Sequence, residues 1–281
     1  MKICYNETME DSDLANDLKL CEAYGYDLIE LRLSYLLEYL KYHNVEELKS
    51  YFRTHHVKPY GFNSVDNVLF CSTSQWEQVV SEFTFACKMA KELNCPNIVV
   101  VPTEGKHMPL IPEAVVQQNA IEVLRELADI AEPYGARIAF EPIGNIRWCV
   151  HSIRQAAEII ALVDRDNVGL TIDAFNIYAH EGLRDLEDLN MIPGNKIFVY
   201  HINDAMDIPI EQLEPAQHRL YPGDGVIPLR TLHEKLIQIG YDEMASLELF
   251  GPWLSATNAE TVIREGYQKI ANLVNVNTLC R

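Results

Sequence analysis

A (β/α)8 barrel, the TIM-barrel class, is the fold this sequence predicts, on three observations. Four short apolar runs of strand composition, Ile138-Ala-Phe-Glu141, Leu170-Thr-Ile-Asp173, Phe198-Val-Tyr-His201 and Ser246-Leu-Glu248, each close on a residue able to bind a metal ion. Those closing residues lie 32, 28 and 47 positions apart, where about 250 residues shared among eight β/α units gives roughly 31 per unit. The first two intervals are therefore one unit each, and the third is one unit plus an insertion. Finally, strand-like and helix-like patterns alternate along all 281 residues, a length that suits one barrel and buries a core easily. Residues 1–281 are accordingly read as a single domain.

Each unit can be justified in turn. Residues 2–5 open a strand that ends near Asn6 and Glu7, and Leu14 to Tyr24 has helical apolar spacing stopped by Gly25. Asp27 to Arg32 alternates as the second strand, ending near Glu30 and Arg32, with helices expected over 36–42 and 45–54; Glu46 and Glu47 favour a helix start. Val57 to Phe62 is the third strand, closing near Asn63, and 75–93 is a long amphipathic helix. Asn97-Ile-Val-Val-Val-Pro102 has the uninterrupted apolar character of a buried parallel strand.

The loop 103–112, rich in Gly, Lys, His and Pro, is a candidate lid before a helix over 113–134 that Gly135 stops. Strand five covers 137–141, helix five 153–162, strand six 168–173, helix six 179–189 and strand seven 196–201. An insertion over 203–227 carries Pro222-Gly-Asp-Gly225. Helix seven (228–239), strand eight (244–250) and a closing helix (259–274) complete eight units.

Composition narrows the function. With 41 acidic against 23 basic residues the net charge is −18, so the surface repels phosphate backbones and nucleic acid is not expected as a partner. No apolar run is long enough to span a bilayer, and no membrane association is expected. The opening Met1-Lys-Ile-Cys-Tyr-Asn-Glu enters strand-like sequence at once, and the seven cysteines form no Cys-x-x-Cys pair, which together read as a cytoplasmic protein with reduced thiols. Small uncharged substrates fit these properties, and so does a homo-oligomer. Neither a P-loop, a dinucleotide fingerprint nor a Gly-x-Ser-x-Gly elbow is present.

In a β/α barrel the chemistry sits at the carboxyl ends of the strands, so Glu141, Asp173, His201 and Glu248 form one candidate site. Three carboxylates and an imidazole without sulfur suit one divalent ion such as Mn²⁺, Zn²⁺, Co²⁺ or Mg²⁺. Any one carboxylate could instead cap a helix, and a lone histidine is more often a core residue; four ligand types at unit spacing favour the metal. Arg219, in the insertion ahead of Leu-Tyr-Pro-Gly-Asp-Gly, could hold a substrate oxygen or could pair with surface acids. At least one of Glu30 and Arg32 is expected in a structural ion pair. The His55-His56 doublet reads as surface or as dipole compensation.

The order Glu, Asp, His, Glu on strands five to eight, followed by Arg-x-x-Pro-Gly-x-Gly, resembles the xylose-isomerase-like barrel superfamily of sugar isomerases and epimerases. Within it, the opening Lys2 to Thr8, Leu18-Lys-Leu-Cys-Glu, Thr54-His-His-Val-Lys-Pro59, Asp129 to Gly135, Arg165 to Leu170 and Lys196 to His201 are similar to the family of inosose isomerases of inositol catabolism. The resemblance implies that Glu141, Asp173, His201 and Glu248 hold one divalent metal, that Glu141 and Glu248 also face the reacting carbons, and that Arg219 contacts substrate. Relatives often carry Asp-x-x-His on strand six; here that position is Asn176, which can hydrogen-bond a hydroxyl but cannot carry a proton.

The implied activity is a metal-dependent shift of a carbonyl between adjacent carbons of an inosose, a cyclic polyol ketone, by proton transfer through an enediolate with Glu141 and Glu248 as catalytic pair. A ketose epimerase or related sugar isomerase would use the same four residues with another pocket. A metal-dependent endonuclease would need more histidines and a basic groove, and a non-catalytic polyol-binding barrel would have no use for an intact ligand set.

Overall fold

The computed structural model describes residues 1–182 and 184–274. Parallel strands covered on both faces need nearly continuous apolar sequence, and eight such segments supply them. They are β1 (Lys2–Asn6), β2 (Leu28–Arg32), β3 (Lys58–Val65), β4 (Asn97–Val100), β5 (Arg137–Phe140), β6 (Val168–Asp173), β7 (Ile197–Ile202) and β8 (Met244–Leu247). They pair in chain order and close into a barrel, β8 lying parallel to β1 with Lys2 opposite Met244 and Cys4 opposite Ser246. Asp173 stands opposite His201, and His201 opposite Ser246, so three of the strands that carry the candidate ligands are immediate neighbours.

Alternation along each strand then sorts the side chains. Ile3, Tyr5, Ile29, Leu31, Ile138 and Phe140 belong to the main core. The opposite set, Cys4, Leu28, Val99, Ala139, Val199 and Met244, forms a separate apolar cluster drawn from six strands. Two residues further along the same faces come Asn6, Glu30, Glu141 and His201, and Glu248 follows Met244 by four, all of them buried. The barrel interior thus passes from an apolar plug to a polar floor at the carboxyl ends of the strands.

The helix Leu14–Tyr24 starts on Asp13, whose carboxylate accepts from Asn16 N at 2.8 Å, and stops at Gly25, where φ is 88°. Two helices differ from expectation. The segment expected at 36–42 is Leu33–Tyr39, because Leu33 and Leu36 supply the buried face whereas Tyr42 is 80% exposed. Helix six is Ala174–Glu181, followed by a 3-10 segment Arg184–Met191, rather than 179–189. Its start is set by Asp173, which caps the helix through Asn176 N at 2.7 Å. Strand three runs on to Val65, and strand eight ends at Leu247, which leaves Glu248 on the first position past the sheet.

The insertion folds on itself. Asp204–Ala205 pairs antiparallel with Arg219–Leu220, and the Asp204 carboxylate accepts from Gly223 N (3.0 Å) and Ile227 N (2.8 Å). Gly225 passes so close that a Cβ there would lie 2.1 Å from Ala205 O, which accounts for glycine in this turn. Among the described residues no helix is long and apolar enough to cross a membrane. His55 stacks on Tyr51 and His56 Nε2 lies 3.1 Å from Asp27, so this doublet belongs to the surface. Cys4, Cys21, Cys71, Cys87, Cys95 and Cys149 are free; Cys280 lies outside the described residues.

Candidate metal centre

Glu141 follows β5 directly and its amide bonds Val100 O at 3.0 Å; Asp173 ends β6, His201 sits in β7 and Glu248 follows β8. One ligand atom from each of the four lies within 4.8 Å of every other, and all four residues are buried. Two ligand atoms on opposite sides of an ion with bonds of about 2.1 Å lie roughly 4.2 Å apart, so the set needs only a small contraction.

Hydrogen bonds orient each group. His201 Nε2 faces Glu30, 3.2 and 3.3 Å from its two carboxylate oxygens, which places the N–H there and turns the Nδ1 lone pair inward. Nδ1 is buried with no hydrogen-bond partner, 3.3 Å from Glu248 and 3.6 Å from Glu141. Glu248 Oε1 accepts from Asn6 Nδ2 at 2.9 Å and Asn63 Nδ2 at 2.8 Å, and Arg219 Nη1 reaches its other oxygen at 2.5 Å. The same Arg219 nitrogen lies 2.8 Å from Asp173 Oδ2, which also accepts from Asn203 Nδ2 at 2.7 Å. Glu141 Oε1 accepts from Asn176 Nδ2 at 3.0 Å. Four buried carboxylates, with Glu30 counted, meet one guanidinium and one imidazole, so the site is short of positive charge. A divalent cation supplies it, and an inward, unpartnered imidazole nitrogen is the donor such an ion requires.

The two glutamates differ in character. Burial, and then the charge of Glu248, push the Glu141 carboxyl up to about 7. Burial would raise Glu248 as well, but His201 and Arg219 outweigh it and hold that carboxyl well below its ordinary range. Asp173 is raised by burial, against the pull of Arg219. His201 is raised although burial opposes it, because Glu248, Glu30 and Glu141 surround it.

Arg219 is neither a surface residue nor paired with surface acids: it is 2% exposed and bridges two of the candidate ligands. Its Cζ also lies within 5.3 Å of the Phe175 ring centroid and 5.0 Å of that of Phe250. Asn176 is turned to Glu141, and Gly144 permits this packing, since a Cβ there would fall 1.8 Å from Asn176 O. Glu30 is the member of its pair that makes the buried ionic contact. Sequence reasoning singled out no role for Asn203; its place two residues after His201, where the next inward position falls, was the available signal. A cavity of about 450 Å³ opens over Glu141, Glu248 and Arg219, walled by Asn63, Arg147 and Phe250.

Residues 18–273 match the family model for the xylose isomerase-like TIM barrel. The chain belongs to the xylose isomerase-like TIM barrel family. Within this family the chain is 40% identical to an inosose isomerase of Bacillus velezensis over 269 residues, 94% of each protein. It is 39% identical to the inosose isomerase of Bacillus subtilis over 282 aligned positions, 98% of each. The crystal structure described as IOLI protein with a binding zinc atom superposes with a TM-score of 0.92 at 38% identity, covering 98% of this chain and 99% of that one.

Proposed function

We propose that this xylose isomerase-like barrel is a metal-dependent inosose isomerase, moving a carbonyl between adjacent carbons of a cyclic polyol ketone. The observation that carries the reading is the convergence of Glu141, Asp173, His201 and Glu248, of which Glu141 and Glu248 line an open cavity of about 450 Å³, in a chain about two-fifths identical to inosose isomerases over nearly its whole length. These four residues would hold one divalent ion; zinc in the related IOLI structure supports the class, and Mn²⁺, Co²⁺ and Mg²⁺ suit the same donors. When bound, the ion polarises the substrate carbonyl and lowers the pKa of the neighbouring C–H.

The protein's own groups divide the remaining work. Asp173 and His201 hold position, the first through Asn203 and Arg219, the second through Glu30. Among the described residues Glu141 accepts a side-chain hydrogen bond from Asn176 alone, and so retains lone pairs for a proton. Glu248, with donors from Asn6, Asn63 and Arg219, is kept anionic on the facing side. In the forward direction Glu141 removes the proton from the carbon bearing the hydroxyl and the double bond shifts. The proton returns from Glu141 to the former carbonyl carbon, and the hydroxyl proton passes to the former carbonyl oxygen, so no redox cofactor is consumed. Asn176 Oδ1, buried without a partner, is available to a substrate hydroxyl, and Arg219, on the cavity wall, to a substrate oxygen.

We also read residues 1–281 as one domain acting in the cytoplasm on small polyol ketones or sugars; the single closed barrel, the free cysteines and the acidic surface support this.

The test is incubation of metal-loaded protein with several inososes and ketoses in D₂O, read by NMR. The expected result is a new inosose isomer carrying deuterium on carbon. Glu141→Gln and Glu248→Gln should lower turnover by roughly 10²–10⁴, the range for general acid–base groups. Conversion of no inosose would refute the assignment, and complete retention of the substrate hydrogen would replace proton transfer by a hydride shift.

A further inference from the structure

One wall of the cavity is built from three loops that Arg147 ties together. Arg147 follows β5 by seven residues, and its Nη1 and Nη2 donate side by side to the two oxygens of Glu214, at 3.3 and 2.5 Å. Its Nε lies 3.1 Å from Glu104 Oε1. Glu104 belongs to the loop after β4, which backbone bonds already join to the Arg147 loop: Gly105 N donates to Arg147 O at 2.9 Å and Cys149 N to Thr103 O at 3.1 Å. Glu214 belongs to the insertion, five residues before Arg219, and Pro215 O accepts from Arg219 Nε at 3.0 Å. All three clamp residues line the cavity.

The Nη1–Nη2 edge of the guanidinium is therefore taken up by Glu214, and the Glu104 carboxylate stands beside Nε without a hydrogen bond to it, so an anion approaching either edge meets a carboxylate of the chain itself. The charged side chains lining the cavity are Asp66, Glu104, Glu141, Glu214 and Glu248 against Arg147 and Arg219. Two further positive charges from a bound divalent ion still leave no excess of positive charge. Hydroxyl groups, in contrast, are donors, and carboxylate oxygens pointing into the cavity accept from them.

We propose that the Glu104–Arg147–Glu214 clamp is a specificity filter, selecting neutral polyhydroxy ketones and rejecting ketones that carry a carboxylate or phosphate. This rests on the isomerase reading for the identity of the neutral substrate, but the rejection is a binding property and is measurable without turnover. Neutralising both acids frees the Arg147 fork and should convert the filter into an anion site.

The experiment compares the metal-loaded protein with its Glu104→Gln/Glu214→Gln variant by ligand-observed NMR, using an inosose and 3-dehydroshikimate, a cyclic ketone with a carboxylate. The unmodified protein should bind the inosose and not the acid. The variant should bind the acid at least about tenfold more tightly than the unmodified protein does, a step of about 1.4 kcal/mol. Adding Arg147→Gln to the variant should abolish that gain, while metal content stays constant in all three proteins. Equal binding of the acid by all three overturns the proposal, as does its rejection by all three, which would make cavity shape the filter. Absence of isomerisation in the unmodified protein refutes the catalytic reading separately and leaves the binding comparison intact.

Discussion

Asp17 lies in the first turn of the helix Leu14–Tyr24, fully buried, and Asp17→Asn should stabilise the protein in a pH-dependent way. Ser12 Oγ donates to Asp17 Oδ1, but Oδ2 has no partner, and neither has Oε1 of Glu7 in the same buried region. Burial, helped by the charge of Asp13, raises the Asp17 carboxyl from 3.8 to about 7. Burial and then Asp17 raise Glu7 as well, against the bond from Arg32 N. A folded state that keeps a proton the unfolded chain releases loses stability as pH rises. The contribution is complete below pH 3.8 and is lost progressively until pH passes about 7. At about 1.36 kcal/mol per pH unit, the loss is about 2 kcal/mol at pH 5.5 and about 4 kcal/mol at pH 8.

An asparagine does not titrate, and its oxygen keeps the Ser12 bond while its amide adds a donor beside the unpartnered oxygens. Urea unfolding of both proteins, metal-loaded, at pH 5.5 and pH 8 measures the effect, and differences between the two cancel the metal's own pH dependence. The stability advantage of the variant should grow by about 2 kcal/mol across that interval. A constant difference across pH, or a variant less stable at pH 8, would show that Asp17 is ionised at no cost in the fold.

Two further outcomes are expected. Glu30→Gln weakens the hold on the His201 Nε2 proton and should lower metal affinity about 10–100-fold, measured by competition with a chelator; unchanged affinity would leave Glu30 with a packing role only. Arg219→Ala strips Asp173 and Glu248 of their shared guanidinium, and breaking such a buried pair should cost the metal-free protein about 3–5 kcal/mol. Metal should restore part of that loss, so thermal midpoints with and without zinc should diverge more in the variant than in the unmodified protein. Equal divergence would assign Arg219 to substrate alone.

The barrel and its four converging residues were legible in the sequence because both are local signals. A strand buried on both faces writes a short apolar run, a unit has a nearly constant length, and alternation dictates that the residue two past an inward apolar position also points inward. Glu141 and His201 follow from that alternation, and Asp173 and Glu248 from their place at strand ends spaced by whole units. The start of the helix at Ala174 was not legible, since the side chain that caps it is also a candidate ligand and the apolar pattern further along is weak.

Tertiary closure decided the rest. Glu30 and His201 are 171 positions apart, and Asn6 and Glu248 are 242 apart, yet each pair is in contact. No spacing rule links β2 to β7 across a barrel, because the link is made by inward side chains meeting at the axis. Arg219 shows the limit most clearly: a basic residue in a turn-rich insertion of an acidic protein reads equally as a substrate contact or as a surface partner, and the fold-back of Asp204–Ala205 onto Arg219–Leu220 carries it into the site. Which carboxylate is held anionic and which is left to accept a proton is likewise a matter of neighbours brought from five strands. Sequence determines the kinds of group a strand end presents; the three-dimensional arrangement of donors around each group sets its charge.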